Sequence, residues 1–261
     1  MEDFARVLVA GDWHGNTDWM QRCVRIAQSC GLPAIVQVGD CGVWPGSRNG
    51  IDKFLYNVNQ AAARAGIQVL FVDGNHDYHP WILAQPLAED GSRPLGTHVT
   101  HLPRGFRWTW AGRRFLAMGG AVSTDRDGSD GRNDWWREEA ISQADLYRTL
   151  GGGPADVVIS HDAPYGTVGL TSERLDHAAS TVNRQMLATV VQDAQAALVI
   201  HGHYHQRYSG TVAYEGGEAR VEGLARDYDA KEAISGRRVP GGFDAIAILD
   251  VETLRVLPVT A

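Results

Sequence analysis

The chain is poor in cysteine and in long hydrophobic runs, and each shortage excludes a class of protein. Three cysteines among 261 residues are too few for a disulfide framework. If Cys23 and Cys30 shared a helix, their separation of seven residues would place them about 10 Å apart along its axis, too far for a disulfide, so we expect reduced thiols. No apolar run approaches the roughly 20 residues of a membrane-spanning helix, and no membrane partner is expected.

Basic charge is also scarce. With 24 Lys and Arg against 31 Asp and Glu, the formal net charge is −7, which argues against a basic face that coats nucleic acid. Extended nucleic acid is therefore not the favoured partner. A small phosphate-ester site remains compatible with this charge, because bound divalent cations make a site locally positive.

The bulk composition favours a single domain spanning residues 1–261. The sequence is 44% hydrophobic, enough for a large core, and no Pro- or Ser-rich linker divides it. The N-terminal region lacks the basic segment, apolar run and small-residue cleavage site of a secretory signal. We therefore expect a cytoplasmic protein.

The hydrophobic pattern predicts strand–helix alternation at both ends of the chain, with hairpins between. Strands and helices alternate over residues 6–10, 17–29, 34–38, 51–65 and 67–72, which implies parallel pairing. Antiparallel strands follow at 99–102, 106–110 and 113–118. Further buried strands are predicted at 156–159 and 197–200, helices near 142–150 and 181–194, and late strands at 208–214, 219–224, 245–251 and 254–259. This order suggests two facing sheets flanked by helices.

Polar, metal-binding residue types follow five of the predicted strands. The five segments are Gly11-Asp12-Trp13-His14-Gly15, Gly39-Asp40, Gly74-Asn75-His76-Asp77, Ser160-His161-Asp162 and Gly202-His203-Tyr204-His205. Each segment alone has an ordinary reading as a turn, a helix cap or an exposed polar loop. Their shared place at the ends of buried strands instead indicates one site at the rim of an α/β sheet.

The residue types favour a pair of divalent transition-metal ions. Carboxylates combined with imidazoles suit such ions, whereas oxygen ligands alone would suit magnesium or calcium. Asp40 has two carboxylate oxygens and is able to bridge two ions, while Asn75 adds a neutral oxygen. Two ions about 3.5–4 Å apart can hold a hydroxide and clamp the oxygens of a displacement at phosphorus.

In the order and spacing of these motifs, D-x-H, G-D, G-N-H-D, H and G-H-x-H, the chain resembles the calcineurin-like metallophosphoesterases. The resemblance covers residues 10–205. It implies a four-layer α/β/β/α sandwich of two mixed sheets and a hydrolase acting on phosphoric esters. It also implies seven metal ligands, namely Asp12, His14 and His205 on one ion, Asp40 as the bridge, and Asn75, His161 and His203 on the other. Manganese is favoured, with iron, zinc, cobalt or nickel as alternatives.

The resemblance also assigns two catalytic residues. His76 would face the scissile phosphate and protonate the leaving oxygen, while Asp77 would orient and charge His76. Cys41 and His201 lie beside the motifs, and we interpret Cys41 as a buried inert thiol and His201 as a packing or supporting residue.

Residues 119–139 look like a loop found in a bacterial and phage subgroup of the family. The loop is expected near the metals, where Arg126 or Arg132 would bind phosphate oxygen and Trp135 or Trp136 would stack on a ring. The alternative is a solvated loop anchored by core tryptophans.

Several functions stay open at this point. The favoured one is hydrolysis of a small phosphodiester, such as a nucleotide or cyclic nucleotide, by a hydroxide bridging two metals. Alternatives are a phosphomonoesterase, a phosphoprotein phosphatase, a nuclease, or a scaffold that kept the fold and lost the chemistry.

Overall fold

Two β-sheets face each other in the computed structural model, which describes residues 2–44, 50–123, 136–172, 175, 177–227 and 243–259. The strands, in chain order, are β1 (Arg6–Ala10), β2 (Ala34–Gln37), β3 (Gln68–Phe71), β4 (Arg93–Pro94), β5 (Val99–His101), β6 (Arg107–Trp110), β7 (Arg113–Met118), β8 (Val157–Ser160), β9 (Leu198–His201), β10 (Tyr208–Tyr214), β11 (Gly217–Gly223), β12 (Ile246–Asp250) and β13 (Arg255–Pro258). The helices are α1 (Thr17–Ser29), α2 (Gly50–Ala65), α3 (His79–Ala84), α4 (Gln143–Thr149) and α5 (Ala178–Asp193).

Both sheets are mixed, with a parallel centre and antiparallel edges. The seven-stranded sheet has the order β13-β12-β1-β2-β3-β5-β4, and β1, β2, β3 and β5 run parallel. The six-stranded sheet has the order β10-β11-β9-β8-β7-β6, and β11, β9, β8 and β7 run parallel. Since parallel strands end at the same edge, each sheet collects its strand-end loops at one rim.

Three apolar clusters define four layers. One packs α1 and α2 on the outer face of the seven-stranded sheet, a second fills the space between the sheets, and a third packs α4 and α5 on the six-stranded sheet. Along β1, Leu8 belongs to the first cluster and Val7 and Val9 to the second. This alternation on a strand buried on both faces confirms the predicted α/β/β/α sandwich.

The predicted elements match the structure closely, with two omissions. Helix α1 and the strands β1, β7 and β10 have the predicted bounds, and most others differ by one to three residues. The sequence did not predict β4, which has two residues, or α3, which has six, because both are too short to show a period. Ala111 and Gly112, with φ of 43° and 74°, form the predicted tight hairpin turn.

The ends of α1 and α4 follow from local side-chain chemistry. The Asn16 side chain caps α1 by accepting a hydrogen bond from Trp19 N, and Ser142 caps α4 in a reciprocal capping box with Asp145. Among the residues that the structure describes, no helix combines the length and apolar character needed to cross a bilayer.

Candidate metal centre

The five polar segments meet at one rim of the two sheets. Asp40 Oδ2 lies 3.5 Å from His14 Nε2 and 3.4 Å from His161 Nε2, although these residues come from three different strand ends. On one side, Asp12 Oδ2 lies 3.1 Å from His205 Nε2. On the other, Asn75 Oδ1 lies 3.1 Å from His161 Nε2. Asp40 therefore stands between two groups of side chains.

His203 and His76 complete the cluster. The rings of His203 and His161 have centroids 5.2 Å apart, and the ring of His76 lies 6.1 Å from that of His14. The backbone N–H of His76 donates to Asp40 Oδ1 at 2.8 Å, which ties the third motif to the second. All seven predicted ligands and His76 are thus brought together.

The cluster is built on strained backbone. Four predicted ligands have φ values in the left-handed region, which residues other than glycine rarely adopt. The values are 46° for His14, 53° for Asp40, 66° for His203 and 55° for His205. Each such residue costs of order 1–3 kcal/mol and persists only where surrounding contacts enforce it. Strain gathered at four of the predicted ligands is typical of a functional site.

Two motif glycines permit the close approach of the loops. A Cβ on Gly74 would lie 2.1 Å from Asp40 N, and one on Gly202 would lie 2.1 Å from Asp12 Oδ1. Both distances are far below van der Waals contact. These glycines are needed because each loop packs directly on an acidic residue of another motif.

The buried carboxylates draw protons onto the histidines. Burial alone would raise the pKa of Asp40, but His161, His76 and His14 outweigh it and hold that pKa well below its usual range. Burial disfavours charge on His14, yet its contacts with Asp227 and Asp40 raise the pKa to about 10. The pKa of His161 likewise rises to about 10, against burial, because Asp40 lies beside it.

The ring nitrogens that face away from the cluster are anchored. His14 Nδ1 lies 3.3 Å from Asp227 Oδ1, and His161 Nδ1 lies 2.8 Å from the Val38 carbonyl oxygen. Asp227 also accepts a hydrogen bond from Asn16 Nδ2 at 2.7 Å. Such contacts fix the ring orientation and leave Nε2 pointing toward Asp40, as is usual for metal-binding histidines.

Asn75 is held in place by the beginning of the 119–139 loop. Its Nδ2 donates to Ser123 Oγ at 3.0 Å, and Ser123 Oγ donates to Glu139 Oε2 at 2.8 Å. The Asn75 amide is therefore oriented with Oδ1 toward His161. The described ends of the loop lie against the cluster.

The Asp77 carboxylate joins two of the motif loops. It accepts hydrogen bonds from the backbone N–H groups of Cys41, Gly42, Val43 and Gly74. Burial and the nearby charge of Asp40 raise the pKa of Asp77 to about 6, against the lowering effect of the Gly74, Gly42 and Val43 amides. Helix α3 begins after Tyr78, without a side-chain cap, so Asp77 is not its cap. The predicted action of Asp77 on His76 stays a prediction.

A model of the calcineurin-like phosphoesterases matches residues 5–207, more than three quarters of the sequence. The chain belongs to this family. Its members are phosphoesterases that normally bind divalent metal ions. A comparison with curated protein sequences gave no significant match.

Solved structures show the same fold at low sequence identity. One is TT1561 of Thermus thermophilus, with a TM-score of 0.55 and 15% identity over 97% of each chain. Another is a dimetal phosphatase from Danio rerio, with a TM-score of 0.51 and 12% identity over 95% of this chain and 92% of that one. At these identities the likeness establishes the fold alone.

The donor set of this phosphoesterase fits divalent metal ions. Two groups have ligand atoms within 4.8 Å of one another, Asp12 with His14 and His205, and Asp12 with Asp40 and His161. Atoms bound to one ion at about 2.0–2.2 Å lie roughly 3 Å apart, close to the spacings here. Moreover, Asp12 and Asp40 are almost fully buried and the groups that lower their pKa values are histidines, so a bound cation would compensate their charge.

Three predicted substrate-binding residues, Arg126, Arg132 and Trp135, lie outside the described residues. Trp136 is described, and its ring lies 4.6 Å from that of Tyr78. His201 lies beside the cluster, but its ring nitrogens contact the Gly202 carbonyl oxygen and the Tyr208 hydroxyl. Cys41 is buried in the apolar cluster under α1, and burial raises the pKa of its thiol well above the usual value.

Sequence reasoning missed two supporting contacts in this phosphoesterase. Asp227 belongs to none of the five polar segments, and only the fold brings it to His14. Asp162, although part of a quoted motif, received no role. It accepts hydrogen bonds from Tyr204 Oη and Asn183 Nδ2, both at 2.8 Å, and so joins the loops that carry His161 and His203.

Proposed function

We propose that this phosphoesterase hydrolyses small phosphodiesters, such as nucleotide or cyclic nucleotide esters, at a pair of divalent ions. The observation that carries the proposal is Asp40 Oδ2, placed within 3.5 Å of His14 Nε2 on one side and His161 Nε2 on the other. A carboxylate between two ligand groups is the arrangement that two neighbouring ions require.

The seven residues would divide between the two ions. Asp12, His14 and His205 would hold the first, Asn75, His161 and His203 the second, and Asp40 both. When bound, the ions would supply Lewis acidity and lower the pKa of attacking water. Manganese is the favoured metal, and iron, zinc, cobalt and nickel also suit this donor set.

The chain's own residues would complete the reaction. His76 is half-buried beside His14 and would place its imidazole near the leaving oxygen. Protonation of that oxygen by the imidazole would assist a basic alkoxide, which is where a diester needs help most. Asp77 would support it by fixing the backbone that joins the second and third motif loops.

The size and charge of the protein favour a small substrate. The net charge of −7 opposes binding along extended nucleic acid, which weakens the nuclease alternative. We also propose that residues 1–261 form one domain, because β12 from the last part of the chain pairs with β1 from the first. The expected cytoplasmic location stays a prediction.

The experiment that tests this function combines metal analysis with paired substrates. After reconstitution with Mn²⁺, we expect about two ions per chain and faster hydrolysis of bis-p-nitrophenyl phosphate than of p-nitrophenyl phosphate. Faster hydrolysis of the monoester or of phosphopeptides would instead favour a phosphatase. Absence of both bound metal and hydrolysis would leave the scaffold alternative.

A further inference from the structure

Beside the metal cluster, the rim of the seven-stranded sheet carries a separate pocket, called the second pocket below. Its volume is about 660 Å³. Its lining includes Asp73, which follows β3, and His101, which is the last residue of β5. Within this sheet the predicted metal ligands follow β1, β2 and β3, whereas the pocket is lined from β3 and β5 and so lies further toward the β4 edge. None of the seven predicted ligands lines it.

The pocket has a positive polar wall in an acidic protein. Four arginines and three carboxylates line it, which leaves one excess positive charge when the two lining histidines are neutral. Burial lowers the pKa of His79 to about 4 and also lowers that of His101, so both are neutral near pH 7. An anion would therefore be attracted here rather than repelled.

Two of the arginines have charge to offer a ligand. Arg93 is 7% exposed and donates to the Gln85 carbonyl oxygen and to His101 Nδ1, but to no carboxylate of the described residues. Arg137 is exposed at the rim and forms no ion pair with a described residue. By contrast, Arg104 is fully engaged with Asp73 and Asp145.

A second part of the lining, here called the apolar wall, consists of hydrophobic side chains and is partly exposed. Ile82, Leu83, Leu87 and Pro103 line it, and Leu83 and Leu87 are 53% and 55% exposed. Large exposed apolar side chains around a concave site are typical of ligand pockets. Together the two walls fit a molecule with an apolar body and one anionic group.

The pocket also touches the ends of the loop that carries Asn75 and His76. Asp73 precedes this loop and is held by Arg104 at 2.5 Å and His101 at 3.1 Å. His79 follows the loop, and its Nε2 lies 2.9 Å from the Gly74 carbonyl oxygen. A ligand that orders the pocket wall would therefore restrain both ends of the loop.

We propose that this pocket binds a small molecule with an apolar body and a single carboxylate, sulfonate or phosphate group, and that binding rigidifies residues 74–78. The proposal is independent of hydrolysis at the metal centre.

The test uses naphthalene-2-sulfonate, a weak metal ligand, in calorimetric titrations of the full chain. We expect it to bind at least about tenfold more tightly than naphthylmethylammonium, its charge-reversed counterpart, or than sulfate alone, which lacks the apolar body. Equal binding of the two aromatic probes, or equal binding of sulfate, would overturn the proposal.

Variants locate the binding site. Arg137→Gln should weaken sulfonate binding about three- to fivefold, and Leu83→Gln with Leu87→Gln about tenfold. These residues are exposed, so the variants should fold, which thermal unfolding checks. Arg64→Gln, at the end of α2, is the matched control, and Asp40→Asn tests the metal centre as the site. Both should bind like the original protein, and a loss confined to Asp40→Asn would refute the pocket.

Hydrogen exchange tests the link to the loop. Saturating sulfonate should slow amide exchange in residues 74–78 at least about threefold, because that loop is held at both ends by pocket residues. In Arg137→Gln the same probe concentration should give less protection. Unchanged exchange at full saturation would show that the pocket does not restrain the loop.

Discussion

Two neighbouring regions of the same rim handle buried carboxylates in opposite ways. At the metal cluster, Asp40 lies against His14 and His161, and the pKa values of both histidines rise to about 10. In the second pocket, Asp73 is paired with Arg104, and burial lowers the pKa of neighbouring His79 to about 4. The histidines thus hold protons beside Asp40, whereas Arg104 supplies the positive charge beside Asp73.

The difference indicates which acidic cluster needs a cation. Asp73 has a permanent positive partner inside the fold, since an arginine does not lose its proton in proteins. The groups that lower the pKa of Asp40 are imidazoles, which must be neutral to bind a metal, so the ion would then compensate the carboxylate charge. A buried carboxylate without an arginine is therefore the better sign of a metal site.

Replacing Asp40 by Asn should have the largest effect, because both ions would share this residue. We expect loss of at least one ion and a fall in kcat/KM on the order of 10⁴-fold or more. Metal analysis and hydrolysis of bis-p-nitrophenyl phosphate measure the two effects. Retention of two ions with near-original activity would contradict the bridging role.

Replacing His76 by Gln should separate ion binding from proton transfer. Two ions should remain bound, while hydrolysis of diesters with basic leaving groups slows by about 10²–10⁴-fold. A diester with a nitrophenolate leaving group, which is only weakly basic, is the matched substrate, and its hydrolysis should slow less. Equal slowing of both substrates would remove His76 as the proton donor.

Replacing Asp73 by Asn should remove the ion pair with Arg104 in the second pocket and lower stability. Arg104 would lose its buried carboxylate partner and keep only the half-buried Asp145, and we expect the free energy of unfolding to fall by about 3 kcal/mol. Denaturant unfolding measures this loss. The metal content should stay at that of the original protein, whereas loss of metal without loss of stability would place Asp73 among the ligands.

Replacing Asp227 by Asn should have a smaller effect at the metal cluster. Its carboxylate contacts His14 Nδ1 at 3.3 Å, and loss of such a contact weakens metal binding by about 10–100-fold. Competition with a chelator measures the affinity. Asp244→Asn, at an exposed position, is the control, and equal affinities of the two variants would exclude the supporting role.

A pH titration tests the raised pKa values of the cluster histidines. In the metal-free protein the pKa values of His14 and His161 are about 10, so both imidazoles are protonated at neutral pH. A metal ion must displace these protons when it binds. The apparent affinity should therefore rise with pH below 10, about tenfold per unit for each proton displaced. Titrations in buffers of different ionisation enthalpy should show proton release, and its absence would contradict the raised pKa values.

Much of the fold could be predicted because its signals are local. The period of apolar residues placed β1 and α1, and Asn16 marked the start of that helix. The five motifs were recognised because each directly follows a buried strand. Short elements such as α3, and the roles of exposed loops, gave no comparable local signal.

The sequence by itself determined the strand order along the chain, the family and the residues that meet at the rim. Only the tertiary structure decided which contacts support them. Asp227 is 213 positions from His14, and Arg104 is 31 from Asp73. Contacts of this kind depend on how separate loops pack in space. The hydrophobic period of a sequence predicts single helices and strands, but it does not encode the distance between two loops.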